Sequence, residues 1–306
     1  MKAKKKPLEM IHRINKEKKR KQRKALAVAV LVIIIFISAF IINFMLDQPS
    51  ISQPISTEPK AAIVDHLSLT YPNGAFIQTV TNILEQEGFG VDYYSGEEVT
   101  VEFYRNLPAH DYRFIILRVH SALVSGNKPP VVLFTSEPFD QTVHSYELLT
   151  GQITRVAFPP YNEGDPTYFG IGPDFIKHSM NGLFKNTVVV MMGCWGLTYP
   201  ETAKEFIQKG AAAYIGWNEQ VLASHTDQAT SRLLYHLISQ KKTLKQAIDD
   251  TTKDVGPAPA YNSQLIYYPL EAGDRTIQNM VGNIVATSLA EIQSVVVPEK
   301  RKVDNF

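Results

Sequence analysis

The segment TVVVMMGCWG (residues 187–196) decides the reading of the whole chain. Its first six residues are uncharged and mostly β-branched, the composition of a strand buried on both faces in a parallel sheet. Two glycines then bracket Cys194 and allow tight backbone turns on either side of the thiol. A second segment, FIILRVHS (114–121), has the same form, with its apolar run leading to His120. In an open α/β sheet, ligands sit outside the C-terminal ends of the strands. If these two strands are neighbours, a thiol and an imidazole meet on that rim.

The rest of the chain from residue 61 alternates in the same way. Strands are expected at residues 61–64, 89–94, 112–120, 131–134, 152–158, 187–192, 211–217 and 264–268. Helices are expected at 75–88, 99–107, 198–209, 226–239 and 244–254. In the first of these helices Phe76, Val80, Ile83 and Leu84 form one face, and Gly88 ends it. Thr198 and Glu201 have the spacing of a capping box for the third. Residues 159–173, rich in Pro, Gly, Tyr and Asp, read as a long loop in which Tyr161, Tyr168 and Phe169 either line a groove or pin the loop down. This pattern predicts an α/β domain with a mostly parallel sheet flanked by helices.

Charge is unevenly placed along the 306 residues. Residues 1–24 hold 12 Lys or Arg against two Glu, whereas the remainder has a net charge of −9. After the basic arm come 22 uncharged, mostly apolar residues (25–46), roughly 33 Å as a helix and enough to cross a bilayer. This run is too long for the core of a cleaved signal peptide, and it exits through Asn43-Phe44-Met45-Leu46-Asp47 without a small-x-small site. The expected organisation is a cytoplasmic arm (1–24), one transmembrane helix (25–46), a Pro/Ser-rich linker (47–60), an extracytoplasmic domain (61–296) and a polar tail (297–306). The arm and span face membrane lipid, and so short an arm beside a membrane argues against a nucleic-acid partner. Cys194 is the one cysteine, so no internal disulfide forms.

Taken singly, a lone cysteine beside an apolar strand is ordinarily a small buried hydrophobe, and a strand-end histidine a structural residue. Together, a thiol and an imidazole on one rim point to nucleophilic catalysis, in which the imidazole activates the thiol or protonates the leaving amine. Backbone N–H groups at Gly193 and Ser121 are the candidate oxyanion donors. Trp195, Trp217, Asn218 and Glu219 are candidate pocket residues by position. His66, beside Asp65 on the same rim, either orients the site or, the simpler reading, is an incidental surface pair, and His236 is structural. The histidines show no metal spacing, and no phosphate-binding or GxSxG motif occurs, so no metal or cofactor is expected.

An apolar strand ending in His, followed by one ending in Cys, resembles the caspase-like cysteine peptidases over residues 61–270. The resemblance implies His120 as base and acid, Cys194 as nucleophile, and a polypeptide substrate. Departures are plain: Ser121 stands where many members have Gly, and Met-Gly-Cys-Trp-Gly stands where caspases have Gln-Ala-Cys-x-Gly. Neither Met192 nor Gly193 supplies the acidic residue that some Arg/Lys-specific members carry before the cysteine. Two other readings remain open: a catalytically inactive module of the same fold that binds a protein partner, and an unrelated doubly wound domain whose Cys and His never meet.

Overall fold

The computed structural model describes residues 58–124, 130–158, 160 and 162–282. The expected arm, membrane span and polar tail lie outside the described residues, as do Tyr161 and nearly all of the linker. Among the described residues no helix is long and apolar enough to cross a membrane.

In chain order the elements run β1 (Lys60–Asp65), α1 (Gly74–Gln86), β2 (Gly90–Ser95), α2 (Val101–Asn106) and β3 (Tyr112–Arg118). Then come β4 (Ser121–Leu123), β5 (Val131–Pro138), α3 (Ser145–Leu149), β6 (Ile153–Ala157), β7 (Thr167–Ile171) and α4 (Pro173–His178). The last group is β8 (Thr187–Met191), α5 (Glu201–Gln208), β9 (Ala211–Trp217), α6 (Ala223–Leu234), α7 (Leu244–Val255), β10 (Leu265–Tyr268) and α8 (Ile277–Val281). Six strands form one sheet in the order β10-β9-β8-β3-β1-β2. All its pairings are parallel except β9 with β10. The architecture is therefore α/β, a mostly parallel sheet flanked by helices.

Alternation along each central strand divides the core in two. Ile63, Phe114, Ile116, Val188 and Val190 face one side, packing with Phe76, Val80 and Leu84 of α1 and with Leu233 and Leu234 of α6. Val64, Ile115, Leu117, Val189 and Met191 face the other, against Tyr104 of α2, Phe175 of α4 and Phe206 of α5. Asn73 caps α1 by accepting the Phe76 N–H at 3.1 Å, and Gly88, with φ +86°, turns the chain out of it.

Three expectations change. Residues 167–171, expected inside a loop, are strand β7, which pairs antiparallel with β5 and β6. With β4 these make a four-stranded sheet inserted between β3 and β8. Tyr168 and Phe169 therefore belong to a strand; Phe169 is fully buried, and Gly170 fits where a side chain would strike Val156. The capping box at Thr198 does not form, because α5 starts at Glu201 behind Pro200. The Thr198 hydroxyl donates instead to the Asn218 carbonyl at 2.6 Å, a partner supplied by the end of β9 and invisible in local sequence. The helix expected at 226–239 begins at Ala223 and passes into a π-helical turn over Tyr235–Ser239.

Ile116 is fully buried at the centre of β3, hydrogen-bonded strands on both sides. Ile116→Ala is expected to lower unfolding free energy by about 2–5 kcal/mol. Urea denaturation followed by Trp217 fluorescence measures it, and a loss below about 1 kcal/mol contradicts the tight packing described.

Candidate active site

The pairing of β3 with β8 sets the site. Their register runs from Phe114 opposite Val188 to Leu117 opposite Met191, and the Met192 N–H continues it to the Leu117 carbonyl at 2.9 Å. Both chains leave the sheet at the same edge, β3 through Val119 and His120, β8 through Gly193 and Cys194. The two side chains share one cavity of about 580 Å³.

Cys194 sits in a tightly held turn. A Cβ at Gly193 would run into the Ser121 hydroxyl, the Val119 carbonyl and the Met191 methyl, so only glycine lets β8 exit here. Trp195 has φ +58°, a left-handed conformation that costs a non-glycine residue about 1 kcal/mol. The turn is held by the Trp195 N–H to the Glu219 carbonyl (3.0 Å), the Ser121 hydroxyl to the Cys194 carbonyl (2.6 Å) and the Thr226 hydroxyl to the Met192 carbonyl (3.0 Å). The Trp195 amide is thereby committed, and Ser121 reaches the cysteine through its side chain. The thiol donates to the Val221 carbonyl at 3.6 Å and receives the Val221 N–H at 3.5 Å. Burial pushes the thiol pKa up; the Val221 N–H opposes this and the Glu219 carboxylate adds to it.

His120 bonds Thr70 through Nε2, 3.0 Å from the hydroxyl. Around its ring stand His66, Tyr71, Phe134 and Phe158, with centroids 5.5–6.0 Å away. Burial, reinforced by the nearby Arg118 charge, lowers the His120 pKa to about 4. His66 is no surface pair: it is fully buried, edge-on to His120 and Phe158, and neither ring nitrogen has a hydrogen-bond partner. Burial and then repulsion from His120 push it down to about 3, and a nearby Thr135 backbone group, outside hydrogen-bond geometry, opposes this only weakly. The alternation of β1 could not show this, because His66 lies in the 3₁₀ turn after the strand, folded back under the rim.

The sequence reading missed Arg118. It is fully buried and holds two carboxylates: Asp65 Oδ1 at 2.6 Å, and Asp227 in a bidentate pair at 2.7 and 2.8 Å. A further N–H goes to the Tyr71 carbonyl at 2.7 Å. Asn73 completes the group by donating to Asp227 at 2.9 Å. The available signal was a charged residue inside the run FIILRVH, since a buried guanidinium requires carboxylate partners.

The four residues expected at the pocket lie elsewhere. Trp217 is buried, its indole N–H bonding the Thr226 hydroxyl at 2.9 Å. Asn218 accepts the Gln264 N–H at 2.8 Å, and the Glu219 carboxylate accepts the Gln220 N–H at 3.0 Å. Neither these three nor Trp195 lines the cavity, whose wall comes instead from Gln220–Ser224 and the start of α6. The reason is direction: the end of β9 pairs with β10 and braces the cysteine turn. Among the described residues no group of three or more His, Cys, Asp or Glu could hold a metal ion.

Two measurements test this electrostatics. Both imidazoles take up a proton more readily unfolded, near 6.5, than folded. Their contribution to stability is thus complete above pH 6.5 and is lost as pH falls toward about 4 for His120 and about 3 for His66. His66→Phe should flatten the decline between pH 6.5 and 4 in urea titrations; an unchanged slope contradicts a neutral buried His66. Arg118→Met strands two buried carboxylates and should cost about 3–5 kcal/mol at pH 7. The triple change to Met, Asn and Asn at 118, 65 and 227 should recover much of that loss.

No family model matches the chain, and no curated protein matches it. Among solved structures it is similar to the crystal structure of the Arg-specific cysteine proteinase gingipain R, with a TM-score of 0.40 and 9% sequence identity. That match covers 74% of this chain and 46% of the other, so the chain spans less than half of its length.

Proposed function

We propose that the described domain is a caspase-like cysteine peptidase, anchored outside the cytoplasm by residues 25–46, with Cys194 as nucleophile and His120 as general base and acid. One observation carries the reading: β3 and β8 are direct neighbours, so His120 and Cys194 line the same cavity at the C-terminal edge of a parallel sheet.

The chemistry follows from the protonation states. With the thiol pKa raised and the imidazole at about 4, both groups are neutral at pH 7. His120 then acts as a base rather than as one half of a preformed ion pair. The mechanism uses the tautomer in which Nε2 donates to Thr70 and Nδ1 is left to take the thiol proton as sulfur attacks the substrate carbonyl. The C–N bond breaks as the imidazolium returns that proton to the departing amine. Water, deprotonated by His120, then cleaves the thioester and regenerates the thiol. Thr70 orients the imidazole as the third member of the triad and takes no proton itself.

A second reading has its own support. The thiol is hydrogen-bonded to Val221 rather than to the imidazole, which suits an inactive module that displays the rim to a protein partner. Turnover requires the thiol to leave Val221.

Labelling of the full chain with a peptidyl electrophile decides between the two. In the active reading, Cys194→Ala abolishes labelling and His120→Ala lowers its rate by about 10²–10⁴-fold. Thr70→Val, which keeps shape and removes the hydroxyl, should lower kcat by roughly tenfold with KM little changed. The acid limb of kcat/KM should fall near pH 4, where His120 gains its proton, rather than near 6.5. A folded wild-type chain that stays unlabelled from pH 5 to 9 rules out the peptidase and leaves the binding module.

A further inference from the structure

The polar groups in the cavity wall are occupied by one another. Among the described residues lining it, the charged side chains are Arg118 and Asp227, which bond each other twice, at 2.7 and 2.8 Å. The second carboxylate on Arg118, Asp65, lies behind the wall and also accepts the Tyr93 hydroxyl at 3.2 Å. Asn73 donates to Asp227 and accepts the Phe76 N–H. The Thr226 hydroxyl donates to the Met192 carbonyl and accepts the Trp217 indole N–H. Much of the remaining wall is apolar. Leu67, Met192 and Val221 are buried, whereas Tyr71, Leu222 and Tyr261 are 47%, 47% and 42% exposed, and all six line the same cavity. Large apolar side chains left in water and gathered around one cavity mark a surface that a ligand covers.

We infer that the cavity takes a large apolar side chain, of the leucine or phenylalanine kind, from the substrate residue whose carbonyl Cys194 attacks. This rests on the peptidase reading for its chemistry. Such a side chain takes its own surface out of water and covers Tyr71, Leu222 and Tyr261 at the same time, so both partners contribute to binding. A lysine or arginine would give up its hydration to meet a carboxylate whose charge Arg118 already balances. An aspartate would meet a guanidinium with four of its five N–H groups committed, to Asp65, Tyr71 and twice to Asp227. An alanine would leave the exposed apolar wall wet. At about 580 Å³ the cavity has room for an aromatic ring.

The test uses the full chain in detergent with peptides that differ only at the residue before the scissile bond, carrying Leu, Phe, Ala, Arg or Asp. The expected kcat/KM for Leu or Phe exceeds that for Ala by about tenfold or more, and that for Arg or Asp by about a hundredfold. Leu222→Asp places an unpaired carboxylate in the wall and should lower the Leu-to-Arg ratio at least about tenfold. An unchanged ratio overturns the inference; if that variant does not fold, the wild-type ranking decides alone. A parallel arm needs no turnover and reads the one cysteine in the chain. N-acetyl-leucine amide should slow alkylation of Cys194 by iodoacetamide more than N-acetyl-arginine amide does. A flat ranking, or preference for Ala, Arg or Asp, overturns the inference while the peptidase stands. No cleavage with selective protection by the leucine amide sinks the peptidase and keeps the apolar pocket. No cleavage without that selectivity overturns both.

Discussion

A single guanidinium ties together the elements on which the site depends. Arg118 sits at the end of β3, grips β1 through Asp65 and reaches across to α6 through Asp227. It also holds the chain after the first 3₁₀ turn through the Tyr71 carbonyl. Charges taken this far from water are stable only with good geometry and full pairing. The positions of β1, β3 and α6 are therefore mutually constrained in a way that apolar packing alone would not impose. Because His120 follows Arg118 by two residues, and Thr70 precedes Tyr71, the same cluster positions the imidazole and the hydroxyl that orients it.

The cluster also shapes the acid–base chemistry. Both nearby carboxylates are occupied by Arg118, so His120 is left with a neutral hydroxyl partner and a positive neighbour. A carboxylate in that place would favour the imidazolium. Here the imidazole is kept neutral, packed among aromatic rings and a second unpartnered histidine. The cysteine is treated similarly: burial and Glu219 disfavour its anion, and the Val221 amide recovers part of that cost. Under the proposed peptidase reading, two neutral partners suit proton transfer concerted with attack.

Much of the architecture was legible because its signals are local or periodic. Short, continuous, β-branched-rich apolar runs at 114–117 and 188–192 read as strands buried on both faces, and the 3.6-residue pattern of α1 is equally direct. Strand β7 was less visible, because Pro, Gly and Tyr around 159–173 look like loop chemistry. Its strand character comes from pairing on both edges, with β5 and β6. The failed cap at Thr198 has the same origin: its hydroxyl turns to donate to the distant Asn218 carbonyl and does not accept the local N–H of Glu201.

By itself the sequence determined the class of fold, the two strands whose ends carry the thiol and the imidazole, and the glycine that lets the cysteine turn close. Those follow from composition, periodicity and the steric freedom of one residue type. Tertiary structure alone decided that β3 and β8 are neighbours, and that Arg118 unites Asp65 with Asp227 across 53 and 109 residues. It also decided that Thr70 bonds His120, and that the cavity wall is Gln220–Ser224 rather than Trp217–Glu219. The reason is physical: a hydrogen bond or ion pair between distant segments leaves no period in the chain, and exists only once packing has brought its two ends together.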